Sequence, residues 1–468
     1  MKTRQANERN ASGLPTTVGA WLGLLMLALA TLAGPAQAAA PPAKPSEFQL
    51  ANGLKVVVVP DHRVPIVMHM VIYRIGSADE GPGEAGLAHY LEHMMFMGTP
   101  THPRGTFDRF IMTGGGMHNA WTTADATAYY QRMPRNALEH LMTLEADRME
   151  NLQFAESAAL NERNVVMEEY RGNAGQPGFP YFLATAGALF PGHPYALPPI
   201  GDEAGIAQFD GAKAMAFYRR HYTPERAIVV IGGDVTEADA RLLAERTYGR
   251  VKRRDAAPLA DRPLPALAPV AQRVVVAHPR VSAVNISRTM LTASASAMPL
   301  RDATALNLFT YIAADGMLGR LHHKLVTTGL ASRVSGSFQL RRFAGQLSFD
   351  ASALPGIGVE TIETAFDQAL ADLADNGVTQ GEFDDMKQRF LATRVYDRDN
   401  TASYSQSIAT SMMVGWRLED VLDFQQRIES LSLDDVNRVA RGVLKHSRSV
   451  TGLLLPQGAP VSPVKLVP

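Results

Sequence analysis

The sequence predicts an α+β protein of two related domains, and three observations support this fold class. Residues 253–270 contain four prolines and show no hydrophobic periodicity, as expected of a linker between domains. The segments on either side repeat the same order of strand and helix signals in outline. Within each segment, strands and helices do not alternate strictly, as they would in a parallel α/β fold. We therefore predict domains over residues 39–252 and 271–468.

Hydrophobic periodicity predicts the elements of the first domain. Runs of Val, Ile and Met indicate buried strands, and a Thr- and Tyr-rich stretch indicates a β segment. The first helix is predicted because Leu87, Leu91 and Met94 recur at steps of three and four residues. In chain order we expect strands at 54–60 and 66–76, a helix at 86–97, a β segment at 117–130, helices at 136–151 and 155–170, and a strand at 227–232.

The second domain shows the same kinds of signal in weaker form. Strand patterns precede a long helical pattern, further helices follow, and a strand pattern comes last. The corresponding ranges are strands at 272–277 and 283–291, a helix at 302–326, and a strand at 449–455.

Residues 1–38 are predicted to be a signal peptide. Lys2, Arg4 and Arg9 precede an apolar run, and a small-x-small cleavage pattern closes it at Ala38. The alternative is an anchor that stays attached, although the run is near the lower limit for spanning a bilayer. Cleavage by the Sec route would place the mature chain in the periplasm or outside the cell, with no stable membrane insertion.

The composition excludes several kinds of site. With no cysteine in the chain, thiolate nucleophiles and Cys-ligated zinc are impossible, so any metal must be held by His and carboxylates. The 45 Lys and Arg residues nearly balance the 46 Asp and Glu residues. No block of like charge points to nucleic acid or to an acidic membrane surface.

The motif HYLEH carries the strongest chemical signal. On a helix, His89 and His93 lie one turn apart on the same face and can present two imidazoles to one ion. Glu92 lies close enough to that face to take a proton from a water on the ion. A catalytic zinc site needs a third protein ligand. The acidic helix at residues 162–170 is its natural source, with Glu162 and Glu169 on a shared face.

The pattern H-x-x-E-H with a glutamate 76 residues later resembles the inverzincins of the pitrilysin/insulinase family. Further landmarks include Gly114-Gly115 and Asn119-Ala120. The resemblance implies two related α+β domains, each with a mainly antiparallel sheet and flanking helices. It implies one Zn²⁺ per chain, held by His89, His93 and Glu169, with Glu92 as general base and Glu162 supporting the site. The implied activity is that of a zinc metalloendopeptidase or oligopeptidase subunit acting on extended peptides.

The resemblance also implies how substrate is held, and here the chain departs from the family. Asn119 and Ala120 are expected on an exposed edge strand to which a peptide adds; the alternative is a half-buried strand with no such role. The Arg and Tyr that family members place in the second half are replaced by Leu325 and Ser332. Arg333 stands one place late, and on a strand its side chain would face the opposite side from position 332. A related second subunit supplying that pair would form a heterodimer; a homodimer or monomer using Arg333 or another residue is the alternative.

Less specific interpretations compete with these assignments. His89 and His93 could be ordinary helical histidines, Glu162 an exposed carboxylate, and His118 a strand residue. His322 and His323 are adjacent and cannot chelate one ion from a helix, so they are expected to be structural. At the level of the whole protein, the alternative is a non-catalytic scaffold subunit of the same fold.

Overall fold

The structure is a computed structural model that describes residues 43–254, 257–264 and 270–460. The predicted signal peptide lies outside the described residues, as does part of the predicted linker. None of the helices in the described ranges is long and apolar enough to cross a membrane. The division into domains at residues 253–270 stays a prediction.

The first sheet has the strand order β1-β2-β6-β3-β5-β4. All neighbouring pairs are antiparallel except β2 and β6, which run parallel. Strand β4 lies at the edge of this sheet. The strands are β1 (Ser46–Gln49), β2 (Lys55–Pro60), β3 (Ile66–Tyr73), β4 (Met117–Thr122), β5 (Thr127–Pro134) and β6 (Ala227–Gly233).

The second sheet repeats this arrangement with the order β7-β11-β8-β10-β9. Its one parallel pair, β7 with β11, takes the place of β2 with β6, and β9 takes the edge position of β4. The predicted α+β fold of two related, mainly antiparallel units is therefore confirmed. The strands are β7 (Ala271–His278), β8 (Asn285–Thr292), β9 (Ala331–Gln339), β10 (Gly345–Ala353) and β11 (Ser449–Pro456).

Helices flank both sheets. Those in the first half are α1 (Leu87–Met94), α2 (Thr106–Thr113), α3 (Leu138–Asn151), α4 (Glu156–Ala174), α5 (Gly178–Leu189), α6 (Glu203–Ile206), α7 (Gly211–His221) and α8 (Glu237–Arg246). Those in the second half are α9 (Leu300–Ala314), α10 (Val359–Asn376), α11 (Gln380–Asp399), α12 (Thr401–Met413), α13 (Leu418–Leu422), α14 (Phe424–Ser430) and α15 (Leu433–His446).

Two sequence expectations need correction. The helix predicted over 302–326 ends at Ala314, and a separate π-helical turn covers His322–Val326. Gly316 has a φ of +51°, a left-handed conformation that favours glycine and interrupts a helix. The β segment predicted over 117–130 is two strands, β4 and β5, joined by a turn in which the Thr123 N–H donates to the Ala126 carbonyl.

Both faces of the first sheet are buried, which accounts for the unbroken run of valines in β2. Val56 and Val58 pack with α1 and its neighbouring helices, whereas Val57 and Val59 face the opposite layer. Because side chains alternate along a strand, a strand covered on both faces needs apolar residues at every position. Helix α12, from the second half of the chain, contributes to that opposite layer.

Each half of the chain contributes one helix that packs on the sheet of the other half. Helix α12 packs on β6 of the first sheet, and helix α5, from the first half, packs on β11 of the second. Both contacts rely on a glycine. A Cβ at Gly232 would lie 2.1 Å from Ser405 Oγ of α12, and one at Gly452 would lie 2.3 Å from the Tyr181 hydroxyl of α5. These glycines occupy β6 and β11, the equivalent strands of the two sheets.

Candidate functional site

Helix α1 carries the HYLEH motif and is held firmly at its N-terminus. Its apolar residues, including Leu87 and Leu91, are buried in the first core. Gly86 precedes the helix with a φ of +91°, and a Cβ there would lie 2.3 Å from the Ile200 carbonyl oxygen. The buried Glu80 carboxylate accepts the N–H groups of Gly86 and Ala88 at 2.9 and 2.8 Å. This capping satisfies backbone donors that a helix N-terminus leaves free.

The structure brings His89, His93 and Glu169 together. Their potential ligand atoms all lie within 4.8 Å of one another. Glu169, on α4, places its Oε2 3.5 Å from His93 Nε2 and 3.8 Å from His89 Nε2. Among the described residues this is the cluster of His and carboxylate groups suited to a metal ion. The neighbouring Glu168 is 72% exposed and pairs with Arg171, away from the cluster.

The donor set fits zinc. Nitrogen and oxygen ligands about 2.1 Å from a tetrahedral zinc stand roughly 3.4 Å apart, close to the distances from Glu169 to the two imidazoles. Glu162, also on α4, accepts a hydrogen bond from His93 Nδ1 at 2.9 Å. This bond orients the ring and leaves Nε2 free for a metal. His89 Nδ1 is buried without a hydrogen-bond partner in the described structure.

The surroundings set opposite protonation preferences on the two histidines. Burial lowers the pKa of His89. Burial would also lower the pKa of His93, but hydrogen bonds with Glu162 and Glu169 outweigh it and raise that pKa to about 9. The hydrogen bond with His93 lowers the pKa of Glu169. Without metal, His93 therefore carries a proton at neutral pH, and a metal ion must displace it.

Glu92 lies beside the cluster without belonging to it. Its side chain is buried, and burial raises the pKa of its carboxyl group above the ordinary value. Thr122, the last residue of β4, donates a hydrogen bond to Glu92 Oε2 at 2.6 Å. A carboxylate with a raised pKa, fixed in position beside a metal site, has the properties of a general base.

Strand β4 exposes its outer edge beside α1. Asn119 pairs with Tyr130 and Ala120 with Tyr129 of β5, and no strand of the described residues pairs on the other side. The Ala120 N–H donates to Asn119 Oδ1 at 2.9 Å. A cavity of about 330 Å³ lies along this edge and is lined by Glu92, His93, Phe96, Met97, Arg104, His118, Asn119, Ala120 and Glu162.

The other histidines considered from the sequence stand outside the cluster. His118 Nε2 lies 3.3 Å from Asp108 Oδ1, and its ring packs near Phe96 and Phe107. His322 and His323 have ring centroids 6.1 Å apart in the π-helical turn, and neither joins a group suited to a metal among the described residues.

The positions that depart from the family pattern lie on and before β9. Leu325 is fully buried in the second core. Ser332 is exposed and donates to the Ser352 carbonyl at 3.1 Å. The ladder with β10 pairs Ala331 and Arg333 with consecutive residues, so Ser332 is the extra residue of a β-bulge. A bulge interrupts the alternation of side chains. Simple alternation therefore does not fix the side of the strand on which Arg333 lies relative to Ser332. Both residues are exposed.

Sequence reasoning missed three residues that support the site. Glu80 caps α1, Thr122 holds Glu92, and Arg342 binds the buried Asp79 next to Glu80 with a shortest distance of 2.6 Å. An acidic residue followed by Gly-rich sequence before a helix was a usable signal for Glu80. Arg342 is 263 residues from Asp79, and no local pattern predicts such a pair.

Comparison with known proteins agrees with this geometry. Residues 55–178 match the profile of Insulinase (Peptidase family M16), and residues 209–390 match that of the Peptidase M16 inactive domain. The first match contains all the clustered residues. The second falls mostly on the half without them.

Individual proteins extend the similarity to nearly the whole chain. A zinc protease of Helicobacter pylori, PqqE, is 29% identical over 93% of this chain and 98% of its own length. The crystal structure of a protease from Helicobacter pylori superimposes with a TM-score of 0.82 at 26% identity, covering 89% of this chain and all of that one. The periplasmic protease PqqL from Escherichia coli shares the fold, with a TM-score of 0.74 at 20% identity. The match covers 89% of this chain and 48% of PqqL.

Proposed function

The chain belongs to the pitrilysin/insulinase family, and on that premise we propose that it is the zinc-bearing subunit of a metallopeptidase that cleaves extended peptides. The observation that carries the proposal is the meeting of His89, His93 and Glu169 beside the buried Glu92. The names of the relatives, which are zinc proteases, support it.

His89, His93 and Glu169 would hold the ion, and Glu162 would fix the ring of His93 by accepting from Nδ1. When bound, zinc acts as a Lewis acid and lowers the pKa of a water it binds toward ~7. Glu92 is then the group placed to accept a proton, and its raised pKa suits this task. Thr122 keeps the Glu92 carboxylate in position. Glu92 would return the proton to the leaving amine.

Strand β4 is proposed to bind the peptide. A substrate in extended conformation would add to its free edge at Asn119 and Ala120 through backbone hydrogen bonds, which require little side-chain specificity. The 330 Å³ cavity beside Phe96 would receive one side chain next to the scissile bond.

A scaffold role is the competing function. The match to an inactive domain favours it only for residues 209–390, which contribute no ligand to the cluster. The two functions differ in metal content: one zinc per chain supports the peptidase, and none supports the scaffold.

A second, related subunit is proposed to complete the site. Neither Leu325, which is buried, nor Ser332 can supply a charged or phenolic donor to the substrate. Loss of one oxyanion donor costs ~10²–10³ in kcat. The chain spans about half the length of PqqL, which is consistent with a half-size subunit. We propose a periplasmic location for the complex, as the predicted signal peptide implies; PqqL, which shares the fold, is a periplasmic protease.

The decisive experiment measures zinc content and turnover of matched variants. Glu92→Gln should retain zinc and, when assayed together with the related partner subunit, lose ~10²–10⁴-fold in activity on a mixture of unstructured peptides. Glu169→Gln should lose the metal, whereas Glu168→Gln, its exposed neighbour, should keep both metal and activity. More than a tenth of wild-type activity in Glu92→Gln would contradict its role as the base.

The subunit proposal needs a separate assay. The isolated, zinc-loaded chain should be weak or inactive, and activity should appear when a related chain carrying the Arg/Tyr pair is added. Robust turnover by the isolated chain would refute the shared site.

A further inference from the structure

A second, larger cavity lies at the C-terminal end of β4. We infer that it is a subsite for a carboxylate carried by the peptide substrate beside a bulky apolar residue. The inference rests on the proposed peptidase function and names the substrate class for that site. The cavity has a volume of about 860 Å³ and lies between the two halves of the chain. We call it the β4-end cavity, defined by Thr122, Asp125, Phe182, Arg341, Arg394 and Trp416 among its lining residues.

The β4-end cavity begins at the end of the strand that is proposed to bind the peptide. Thr122 both lines the cavity and donates to Glu92, so one residue joins the general base to the cavity. Thr122 is two residues beyond Ala120, or roughly 7 Å along a strand. A peptide paired with β4 at Ala120 would therefore reach the cavity with residues about two to four positions from the scissile bond.

Arg341 supplies the charge that would select a carboxylate. It lies in the loop between β9 and β10, donates to Gln339 Oε1 at 2.9 Å and stands 5.2 Å from the centre of the Tyr195 ring. Burial lowers the pKa of its guanidinium. Among the described residues no carboxylate forms an ion pair with it within 4.0 Å. A partly buried cation without an ion-pair partner is unfavourable, and an anionic ligand would offset that free-energy cost.

The acidic residues around the cavity are already engaged. Asp125 accepts from the Tyr195 hydroxyl at 2.5 Å and from the Arg342 N–H at 3.1 Å. Asp397 pairs with Arg394 at 3.2 Å. The charged residues of the lining are Arg341, Arg394, Arg398, Asp125 and Asp397, which together give a formal charge of +1. Two buried donors, Trp416 Nε1 and Arg394 Nε, have no hydrogen-bond partner in the described structure. The lining thus has a positive formal charge and two donors free to bind an acceptor.

The rest of the lining is apolar and aromatic. It includes Phe182, Phe338, Met413, Trp416 and Phe424. A cavity of this volume and chemistry accommodates a large apolar side chain together with one charged group. A purely apolar ligand would cover Arg341 without supplying an opposite charge, and a basic ligand would be repelled. The carboxylate can come from an Asp or Glu side chain or from the peptide C-terminus, and the test distinguishes these sources.

The test is a binding measurement that does not require turnover. The Glu92→Gln variant is titrated with fluorescent peptides that have the same central sequence. The dipeptide Glu-Phe, Gln-Phe or Lys-Phe is placed at one position after another along that sequence. A parallel set ends in Phe with a free or an amidated C-terminus. We expect a carboxylate to bind about 10-fold to 100-fold more tightly than its neutral counterpart, at positions on one side of the core only. If only the free C-terminus improves binding, the subsite binds the C-terminal carboxylate of the peptide. If Glu improves binding over Gln, the subsite binds an acidic side chain.

Arg341→Met, which retains the apolar stem, should abolish the preference for the carboxylate without changing the thermal unfolding temperature by more than a few degrees. Arg438→Met is the matched control, since Arg438 is 58% exposed and does not line the cavity. If Arg341→Met unfolds, Arg341→Lys replaces it, and the preference should then weaken but persist. Equal binding of Glu and Gln peptides and of free and amidated ends, or a carboxylate preference that survives Arg341→Met, would overturn the inference. Carboxylate-dependent binding by a wild-type chain that holds no zinc would refute the proposed peptidase and leave the subsite intact.

Discussion

The ion pair between Arg342 and Asp79 links the two halves of the chain, next in sequence to the Glu80 that caps α1, and its loss should destabilise the protein. The two nitrogens of Arg342 donate to both oxygens of Asp79 at 3.1 and 2.6 Å. The side chains are only 12% and 3% exposed. Removing one member of a buried pair leaves an uncompensated charge and costs about 3–5 kcal/mol. We therefore expect Arg342→Met to lower the free energy of unfolding by that amount.

Urea denaturation followed by circular dichroism measures this effect. Arg417→Met serves as the control, since Arg417, which pairs with Glu419 and Asp420, is itself 69% exposed and solvent-exposed ion pairs contribute about 0–1 kcal/mol. Adding Asp79→Asn to Arg342→Met removes the stranded charge and should recover much of the loss. Zinc affinity should fall with Arg342→Met, because Asp79 precedes the Glu80 cap of α1. A loss no greater than that of Arg417→Met, or no recovery in the double variant, would refute this account.

Three further predictions concern single residues. Glu162→Gln should weaken zinc binding about 10-fold to 100-fold in a chelator competition, because a neutral amide supports His93 less well; an unchanged affinity would exclude the supporting role. Ala120→Pro should raise KM for peptides while zinc stays bound, because it removes one edge N–H; unchanged kinetics would exclude edge-strand binding. Burial raises the pKa of Asp350 to about 6, opposed by Arg333, so the folded state binds its proton more tightly than the unfolded state does. Stability should fall as pH rises from about 4 to 6. Asp350→Asn should therefore stabilise the protein at pH 8 but not at pH 3.5, and urea titrations at both pH values would show it.

Local patterns predicted the local part of the site. The spacing of His89 and His93 was sufficient to place both on one face of a helix, and the structure brings Glu169 to them. Two local predictions were wrong. The helix predicted to continue past Ala314 is interrupted at Gly316. The alternation of side chains assumed along β9 is interrupted by a β-bulge at Ser332.

Long-range features could not be predicted from one sequence. The partner of Asp79 lies 263 residues away, and nothing near Arg342 identifies it. The order of strands in each sheet could not be predicted either. Strand β6 lies between β2 and β3, although more than 150 residues separate it from them. Such pairings depend on tertiary packing, which propensity and periodicity do not encode.

The exchanged helices have a consequence for attempts to divide this protein. Helix α12, from the second half, covers the first sheet, whose strands all come from the first half. Helix α5, from the first half, covers the second sheet, whose strands all come from the second half. A fragment ending at the linker would expose the apolar face formed by Val57, Met70 and Val230, which α12 now covers. Each fragment alone should aggregate, whereas the two produced together should assemble into a nicked but intact molecule. The two halves repeat one arrangement of strands, yet each sheet depends on a helix of the other half to cover its apolar face.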